Sequence, residues 1–292
     1  MSQALQLLVD GLVQGGRIAL VAVGFSLIYG VTRTLHLAHG AIITLAAYLV
    51  WWMTAKLGSG LVLAVFAASL VVIVLGVAHE VYLYRYIRSM TSGGFTVVVA
   101  SLGTGIVIQN LAGVLFGFDT KDMRAATVGQ ATTGLRLGPV VVPIIDLMSL
   151  GITIVLFAIL GWLLMYTRHG QKLRAVQDNP QLARVVGIST PAVYAMTFAI
   201  GSLVSMPAAF FIGLSGGLNT TIGFDAMLLA LIVVFAGGIG SLLGTLLASI
   251  AVGLLQTMSL LVVDSRWEAT VTFAVLLLLV TLRPRGLFGK VS

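Results

Sequence analysis

Long runs of apolar residues, separated by short polar stretches, set the pattern of this chain. They cover roughly 5–30, 40–55, 61–83, 95–117, 143–166, 191–213, 224–240, 242–263 and 268–282. A run such as Ile152 to Met165 shows no alternation, so the runs read as helices and not as strands of a barrel. About 20 apolar residues cross a hydrocarbon core of about 30 Å, which gives about eight crossings, with nine as the upper count. Two runs are interrupted, the first by Gly15-Gly16 and Arg17, the 224–263 stretch by Gly237-Gly238-Ile239-Gly240-Ser241. Each break reads as a turn or a helix bend. Segment 224–240 either crosses fully or dips in and stops. The other intramembrane glycines, Gly151, Gly161 and Gly201 among them, read as packing contacts between helices.

Composition narrows the class further. Hydrophobic residues make up 59% of the chain and charged residues 9%, against about 25% charged in a soluble domain. That excludes a soluble enzyme, a coiled coil and a disordered chain. The expected fold is an all-α polytopic integral membrane protein, with residues 1–292 forming a single transmembrane domain. The chain has no cysteine, hence no disulfide framework and no thiolate metal site. Its first basic residue is Arg17, too late for the n-region of a signal peptide. The net charge of +7 points to topology and not to nucleic acid. Arg85 and Arg88 lie in one loop, Arg168, Lys172, Arg174 and Arg184 in another, and Arg283, Arg285 and Lys290 in the tail, with Arg33 at a fourth polar point. In the alternate loop, 118–138, Lys121, Arg124 and Arg136 are offset by Asp119 and Asp122. Cytoplasmic loops are the ones enriched in Lys and Arg. So 84–94, 167–190 and the C-terminus are expected inside and 118–138 outside, while the N-terminal orientation stays open.

The loop 167–190 carries a short helix with clear start and stop signals. Asp178 or Asn179 can cap it, and Pro180 suits the first helical position, where its missing N–H is not needed. Gly187 suits the left-handed residue that ends a helix. About two turns remain, 180–186, roughly 10 Å long. Leu182, Val185 and Val186 fall on neighbouring faces. A helix this short is unstable alone in water and needs something to dock against. It reads as a docking helix for a cytoplasmic partner, or as a basic loop resting on lipid headgroups.

The pattern Arg-x-Gly-x-x-x-Arg-Ala-x-x-x-Asn-x-x-x-Ala-x-x-x-Gly-Ile, from Arg168 to Ile188, resembles the coupling segment of permeases in bacterial branched-chain amino acid ABC importers. Three more stretches agree in order and spacing: Gly24 to Gly30 followed by His36-Leu37-Ala38-His39-Gly40, Gly237 to Ser241 with Gly244, and the tail Arg283 to Gly289. The compact length is similar to the H-type (LivH-like) permease and not to its larger M-type companion. The resemblance implies a bacterial inner-membrane subunit that pairs with a second related permease, sits on two cytoplasmic ATPases and receives solute from an extracytoplasmic binding protein. It implies that Asn179, Pro180, Leu182, Ala183, Arg184 and Gly187 couple to the ATPases. ATP would belong to those partners, in keeping with the lack of a Gly-x-x-x-x-Gly-Lys-Ser/Thr loop here. One stretch departs from the family. Where Asn-Phe-Ala-His-Gly and an acid are usual, this chain has His36, Leu37 and Ala41. Urea, short amides and aromatic acids, associated with relatives of similar pattern, therefore stand beside branched-chain or neutral amino acids as solutes.

Among the remaining polar residues, His36 and His39 lie at i and i+3 near an expected membrane boundary. They lack the Cys, Asp or Glu that would complete a metal site, so they read as structural or pathway-lining. Gln109 and Asn110 sit in an apolar span and need partners on another helix or in a wet pathway. Ser101 and Thr104 share that helix. His79 and Glu80, beside Arg85, read as a local ion pair, and Asp225 as the cap of its helix. A facilitator or secondary transporter is the rival function; the nine acids lie in loops, at span ends or near breaks, which weakens ion coupling. An intramembrane enzyme finds no catalytic constellation, so no catalytic residue and no metal are assigned.

Overall fold

The computed structural model describes residues 2–267 apart from 91–93, 128–133 and 139, with residues 270, 272, 274 and 281 beyond. The expected span 268–282 lies almost wholly outside the described residues, as does the tail Arg283 to Gly289. Helix α1 is Ser2–Thr32 and α2 Ala38–Ala55; α3, Leu61–Ala78, runs through a π turn at His79–Tyr84 into α4, Arg85–Met90. Then come α5 Gly94–Phe116, α6 Met123–Thr127, a hairpin of β1 Gly134–Leu137 and β2 Val140–Pro143, and α7 Ile144–Tyr166. Helices α8 Arg168–Asp178, α9 Pro180–Val185, α10 Thr190–Gly216, α11 Ile222–Gly237 and α12 Leu242–Ser259 complete the described order. Among the described residues seven helical stretches are long and apolar enough to cross a membrane, and α11 is a shorter apolar helix. The fold is all-α and polytopic, with the two-stranded antiparallel hairpin, Leu135 opposite Val142, as its sheet among the described residues.

Residue size sets which way α3 faces, and on α7 the hydroxyls of Ser149 and Thr153 also turn inward. On α3 the inward positions are Ala64, Ala68, Val72 and Gly76, one per turn, while Phe66, Leu70 and Val74 are exposed. On α7, Ile145, Ser149, Thr153, Phe157 and Leu160 are buried and Ile154, Val155, Ile159 and Trp162 face out. Small side chains inward let backbones approach, and large apolar ones outward suit lipid. Helix α1 is the hub: Ile18 to Val23 are nearly inaccessible, and it packs on α7, α10, α11 and α12. The turn allowed for at Gly15-Gly16 is not there, since α1 is continuous. The glycine is needed by a neighbour instead, because a Cβ on Gly15 would sit 2.7 Å from the Cα of Ile250 on α12. Arg17, next along, is buried and paired with Asp146 of α7.

Contacts at the two ends of α1 fix the directions of the helices. At its start, Gln6 exchanges two hydrogen bonds with the Val141 backbone, both 3.0 Å, so the hairpin lies there. At its end, Gly30 meets Gly240 and Gln177 of α8. The α8–α9 end is called the coupling face below. Helix α12 runs antiparallel to α1, with Ile250 against Gly15 and Leu254 against Gly11. Helix α11 starts against α2, where the Gly223 N–H donates to the Thr44 hydroxyl at 3.0 Å, and runs toward the coupling face, where Gly240 just after it meets Gly30. Its roughly 24 Å of helix is shorter than any of the seven long stretches. The start of α1 lies on the face opposite α8–α9.

Three local expectations are corrected. Residues 84–90 are helical and extend the third crossing toward the coupling face. The stretch before α9 is an 11-residue helix, α8, with Gly170, Leu173 and Val176 turned inward under a charged outer surface. Glu80 pairs with Arg88 and not with Arg85, while Nδ1 of His79 meets the Leu75 carbonyl at 2.8 Å.

Candidate functional site

The coupling face is built around α9. Asn179 ends α8 and caps α9 at once, with extended backbone and a side-chain oxygen that accepts from the N–H groups of Gln181 (3.0 Å) and Leu182 (2.9 Å). Pro180 occupies the first turn as expected. At the other end Gly187 has φ +83°, its N–H donates to the Arg184 carbonyl (3.0 Å), and the N–H of Ile188 donates to the Ala183 carbonyl (2.9 Å). This pair of bonds closes a helix on a left-handed glycine. The expected helix 180–186 is thus observed as Pro180–Val185 with Val186 as its cap. Leu182, Val185 and Val186 are 60%, 82% and 67% exposed, so a capped helix holds three apolar side chains out on one end of the molecule. Ala183 is buried on the opposite side of α9. It seats the helix and presents nothing outward. Nε of Arg184 donates to the Thr190 hydroxyl at 3.1 Å, which fastens α9 to the first residue of α10.

The second feature is a break in the span after α1. Residues 33–37 are not helical, and Arg33 has φ +54°. His39 then meets Ser205 (Nε2 to Oγ, 2.9 Å), whose hydroxyl donates to the Leu20 carbonyl of α1 (3.0 Å). Ser205 is 15 residues into α10, about 22 Å above its coupling-face end. So α2 begins near mid-depth, and 33–37 climb back from the coupling face. The expectation of His36 and His39 at a membrane boundary is corrected accordingly. Irregular backbone at such depth needs internal hydrogen-bond partners, and it has them. The Thr34 N–H donates to the Thr32 hydroxyl (3.2 Å), and the Ala38 N–H donates to Ser101 Oγ (3.0 Å). Nδ1 of His36 lies 2.6 Å from the Tyr84 hydroxyl, which donates to the same Ser101 (2.9 Å). His36 also packs on Phe198, ring centroids 5.0 Å apart, and on His79 at 5.5 Å. Both His36 and His39 are fully buried. Among the described residues no His, Cys, Asp and Glu cluster could hold a metal.

The other polar candidates divide. Ser101 belongs to the histidine cluster. Thr104 is spent on its own helix, donating to the Ala100 carbonyl at 2.9 Å. Asn110 is exposed on α5, an apolar helix, and bonds the Ile106 carbonyl of its own backbone at 2.8 Å. Gln109 beside it is half-buried. The exposed surfaces of α3 and α7 carry no such amide. Asp225 is not the expected cap: Thr221 holds that position, and its hydroxyl lies 3.3 Å from the Asp225 carboxylate. On the face opposite α9, a cleft of about 340 Å³ lies between Thr120–Arg124 and the end of α10. There the Lys121 hydrogen bond holds the exposed Asp119 carboxyl below its ordinary range.

Sequence reading missed a knot beside the break. Glu80, fully buried, pairs with Arg88; Arg88 Nη1 donates to the Thr34 hydroxyl (3.2 Å) and its guanidinium lies over the Tyr194 ring, 5.0 Å from the centroid. These residues are far apart in sequence. The available signal was Glu80 itself, an acid inside an apolar run eight residues before an arginine.

Known proteins resemble this chain over most of its length. Residues 7–281 match the family described as branched-chain amino acid transport system / permease component. The chain is 28% identical to BraD, a high-affinity branched-chain amino acid transport system permease protein of Pseudomonas aeruginosa, over 98% of this chain and 96% of that one. It is 27% identical to the corresponding LivH of Escherichia coli, with the same coverage of both. An autoinducer 2 import system permease protein, LsrC of Escherichia coli, is 27% identical over 77% of this chain and 61% of its own. Among solved structures, PsaBC from Streptococcus pneumoniae superposes with a TM-score of 0.48 at 14% identity, covering 94% of this chain and 91% of that one. The chain belongs to the branched-chain amino acid transport system permease family.

Proposed function

We propose that this chain is the permease subunit of an ATP-driven importer of the bacterial inner membrane, with branched-chain amino acids as its solutes. The observation that carries the reading is α9: a helix capped at both ends that exposes Leu182, Val185 and Val186. Such a helix gains by burying apolar surface, at about 25 cal/mol per Å², against a groove on another protein. Cytoplasmic ATPases are that protein. They bind and hydrolyse the nucleotide, so this chain needs no cofactor, and their closure moves α9. The coupling face and the C-terminus are cytoplasmic, and the hairpin face receives solute from a binding protein.

A second, related permease encloses the pathway. Asn110 supports this, because an amide on the exposed surface of an apolar span lacks an outside partner until another chain or a wet pathway supplies one. The choice of branched-chain amino acids rests on the names of the relatives over nearly the full length. The departure at His36 and Ala41 does not oppose it: Ala41 is buried and His36 is engaged by Tyr84, so the changes fall in the interior.

The test is Val185→Asp together with Leu182→Asp. Both positions are surface-exposed, so the chain should reach the membrane in normal amount. Purified in mild detergent, the native chain should bring ATPase subunits and a second permease, and the variant should lose the ATPases and ATP-driven leucine uptake. Uptake by the lone chain in liposomes without ATP would replace this reading with a facilitator.

A further inference from the structure

We infer that Arg88 is the junction through which movement of α9 reaches the broken span, acting as a positioning residue on the 33–37 segment. The inference rests on the ABC-permease reading above and adds to it the route inside the membrane. Each step of that route is a contact. Arg184 of α9 holds Thr190, the first residue of α10, at 3.1 Å. One turn further along α10 is Tyr194, whose ring carries the Arg88 guanidinium at 5.0 Å. Arg88 holds Glu80 on one side and the Thr34 hydroxyl, at 3.2 Å, on the other. Thr34 lies in the non-helical segment, two residues before His36, which bonds Tyr84 and through it Ser101, the residue that also anchors the start of α2.

The choice of side chain fits the task. A guanidinium is a planar fork that can bond two oxygens while stacking on an aromatic ring, whereas an ammonium is a point charge on a flexible stem. Glu80 is fully buried, and its second oxygen has no hydrogen-bond partner among the described residues. Removing a pair of charges from water is an inefficient source of stability and is best attested as a device that fixes register or switches between arrangements. A carboxylate with one oxygen engaged and one unused gives the arginine a second place to bond if α10 shifts. The backbone around Glu80 is the π turn His79–Tyr84, a form that appears mostly as single turns inside α-helices and is frequent at functional sites. Two further cations face this knot, Arg85 of the same helix α4, which reaches the Pro191 carbonyl of α10 at 3.4 Å, and Arg184 of α9, held on the first residue of α10.

The chain has no cysteine, so the segment can be watched with one. Leu35→Cys would be placed in the complete complex, with Phe66→Cys on the lipid side of α3 as control, and the rate of N-ethylmaleimide labelling measured without nucleotide and with ATP and vanadate. The expected result is a several-fold change of the Leu35→Cys rate on trapping and none for Phe66→Cys. Adding Arg88→Lys, or Thr34→Val, should abolish the change while ATPase recovery and ATP hydrolysis stay at the native level, and the two together should do no more than either alone. Thr34→Val removes the oxygen that Arg88 holds, together with its own bond to the Thr32 carbonyl at 3.3 Å, and leaves Arg88 and Glu80 in place, so it reports even if Arg88→Lys fails to fold. A nucleotide response that persists in Thr34→Val, or one absent from the unmodified background, overturns the inference while ATPases still co-purify. Failure to recover ATPases at all overturns the proposed function instead.

Discussion

Replacing Asn179 with Ala tests the coupling helix at its weakest point. The native side chain accepts two backbone N–H groups, those of Gln181 and Leu182, and alanine accepts neither. Loss of such a cap costs about 0.5–2 kcal/mol. Helix α9 has six residues, too few to hold itself in water, so the loss falls on a local equilibrium and not on the whole fold. A loss of about 1–2 kcal/mol multiplies the unfolded fraction of α9 by about 5–30. Hydrogen exchange in detergent, read by mass spectrometry over 179–188, should quicken by that factor, while exchange in α1 and α10 stays unchanged. Asn179→Asp, which keeps an acceptor of equal capping strength, should restore native exchange. ATP-driven uptake should fall in the alanine variant in step with the exchange. Native exchange across 181–186 in Asn179→Ala would refute the claim that this cap sustains α9.

Other outcomes follow from the geometry. Gly187→Val puts a β-branched residue at φ +83°, where an L-residue pays about 1–2 kcal/mol or more; no neighbour lies within 4 Å of the new Cβ, so the effect should be confined to α9 and uptake, with thermal stability of the solubilised chain unchanged. Gly15→Ala should lower that thermal midpoint, since α1 and α12 must part by tenths of an ångström or more and overpacking of this kind costs about 1–3 kcal/mol. Arg17→Leu alone strands Asp146; breaking a fully buried pair costs about 3–5 kcal/mol, less here because the Asp146 side chain is 22% exposed. The double variant Arg17→Leu with Asp146→Leu should regain most of the stability, and equal losses in the single and double variants would contradict a pairing role. Ala183→Asp should destabilise α9 itself, visible as faster exchange, because the position faces inward.

What could be read from the sequence was whatever depends on residues close together. The apolar runs gave the crossings, and the Asn179, Pro180 and Gly187 signals gave the helix between them, because caps act over three or four positions. Helix α8 escaped because its charged outer surface masks the inward Gly170, Leu173 and Val176, which a stricter search at three-residue spacing would have found. The Gly15-Gly16 break was misread because the reason for the glycine lies on α12, more than two hundred residues away. The depth of His36 and His39 could not be read either. It depends on Ser205 and Tyr84, and no local pattern says that a chain leaving a helix at one face climbs back into the membrane before resuming. The Glu80 partner was assigned one turn too early, since the π turn and the reach of Arg88 are features of tertiary packing.

The pairing of Arg17 also sets a schedule for synthesis. Arg17 emerges with the first helix, and Asp146 follows 129 residues later. At about 5–20 residues per second that is a wait of roughly 6–26 s. Through this interval the most enclosed of the described spans stands in the bilayer, or beside the insertion machinery, with a guanidinium and without α7, α10, α11 and α12, the helices it packs on. Chains arrested before α7 should therefore remain attached to an insertase, and release should coincide with the arrival of the aspartate.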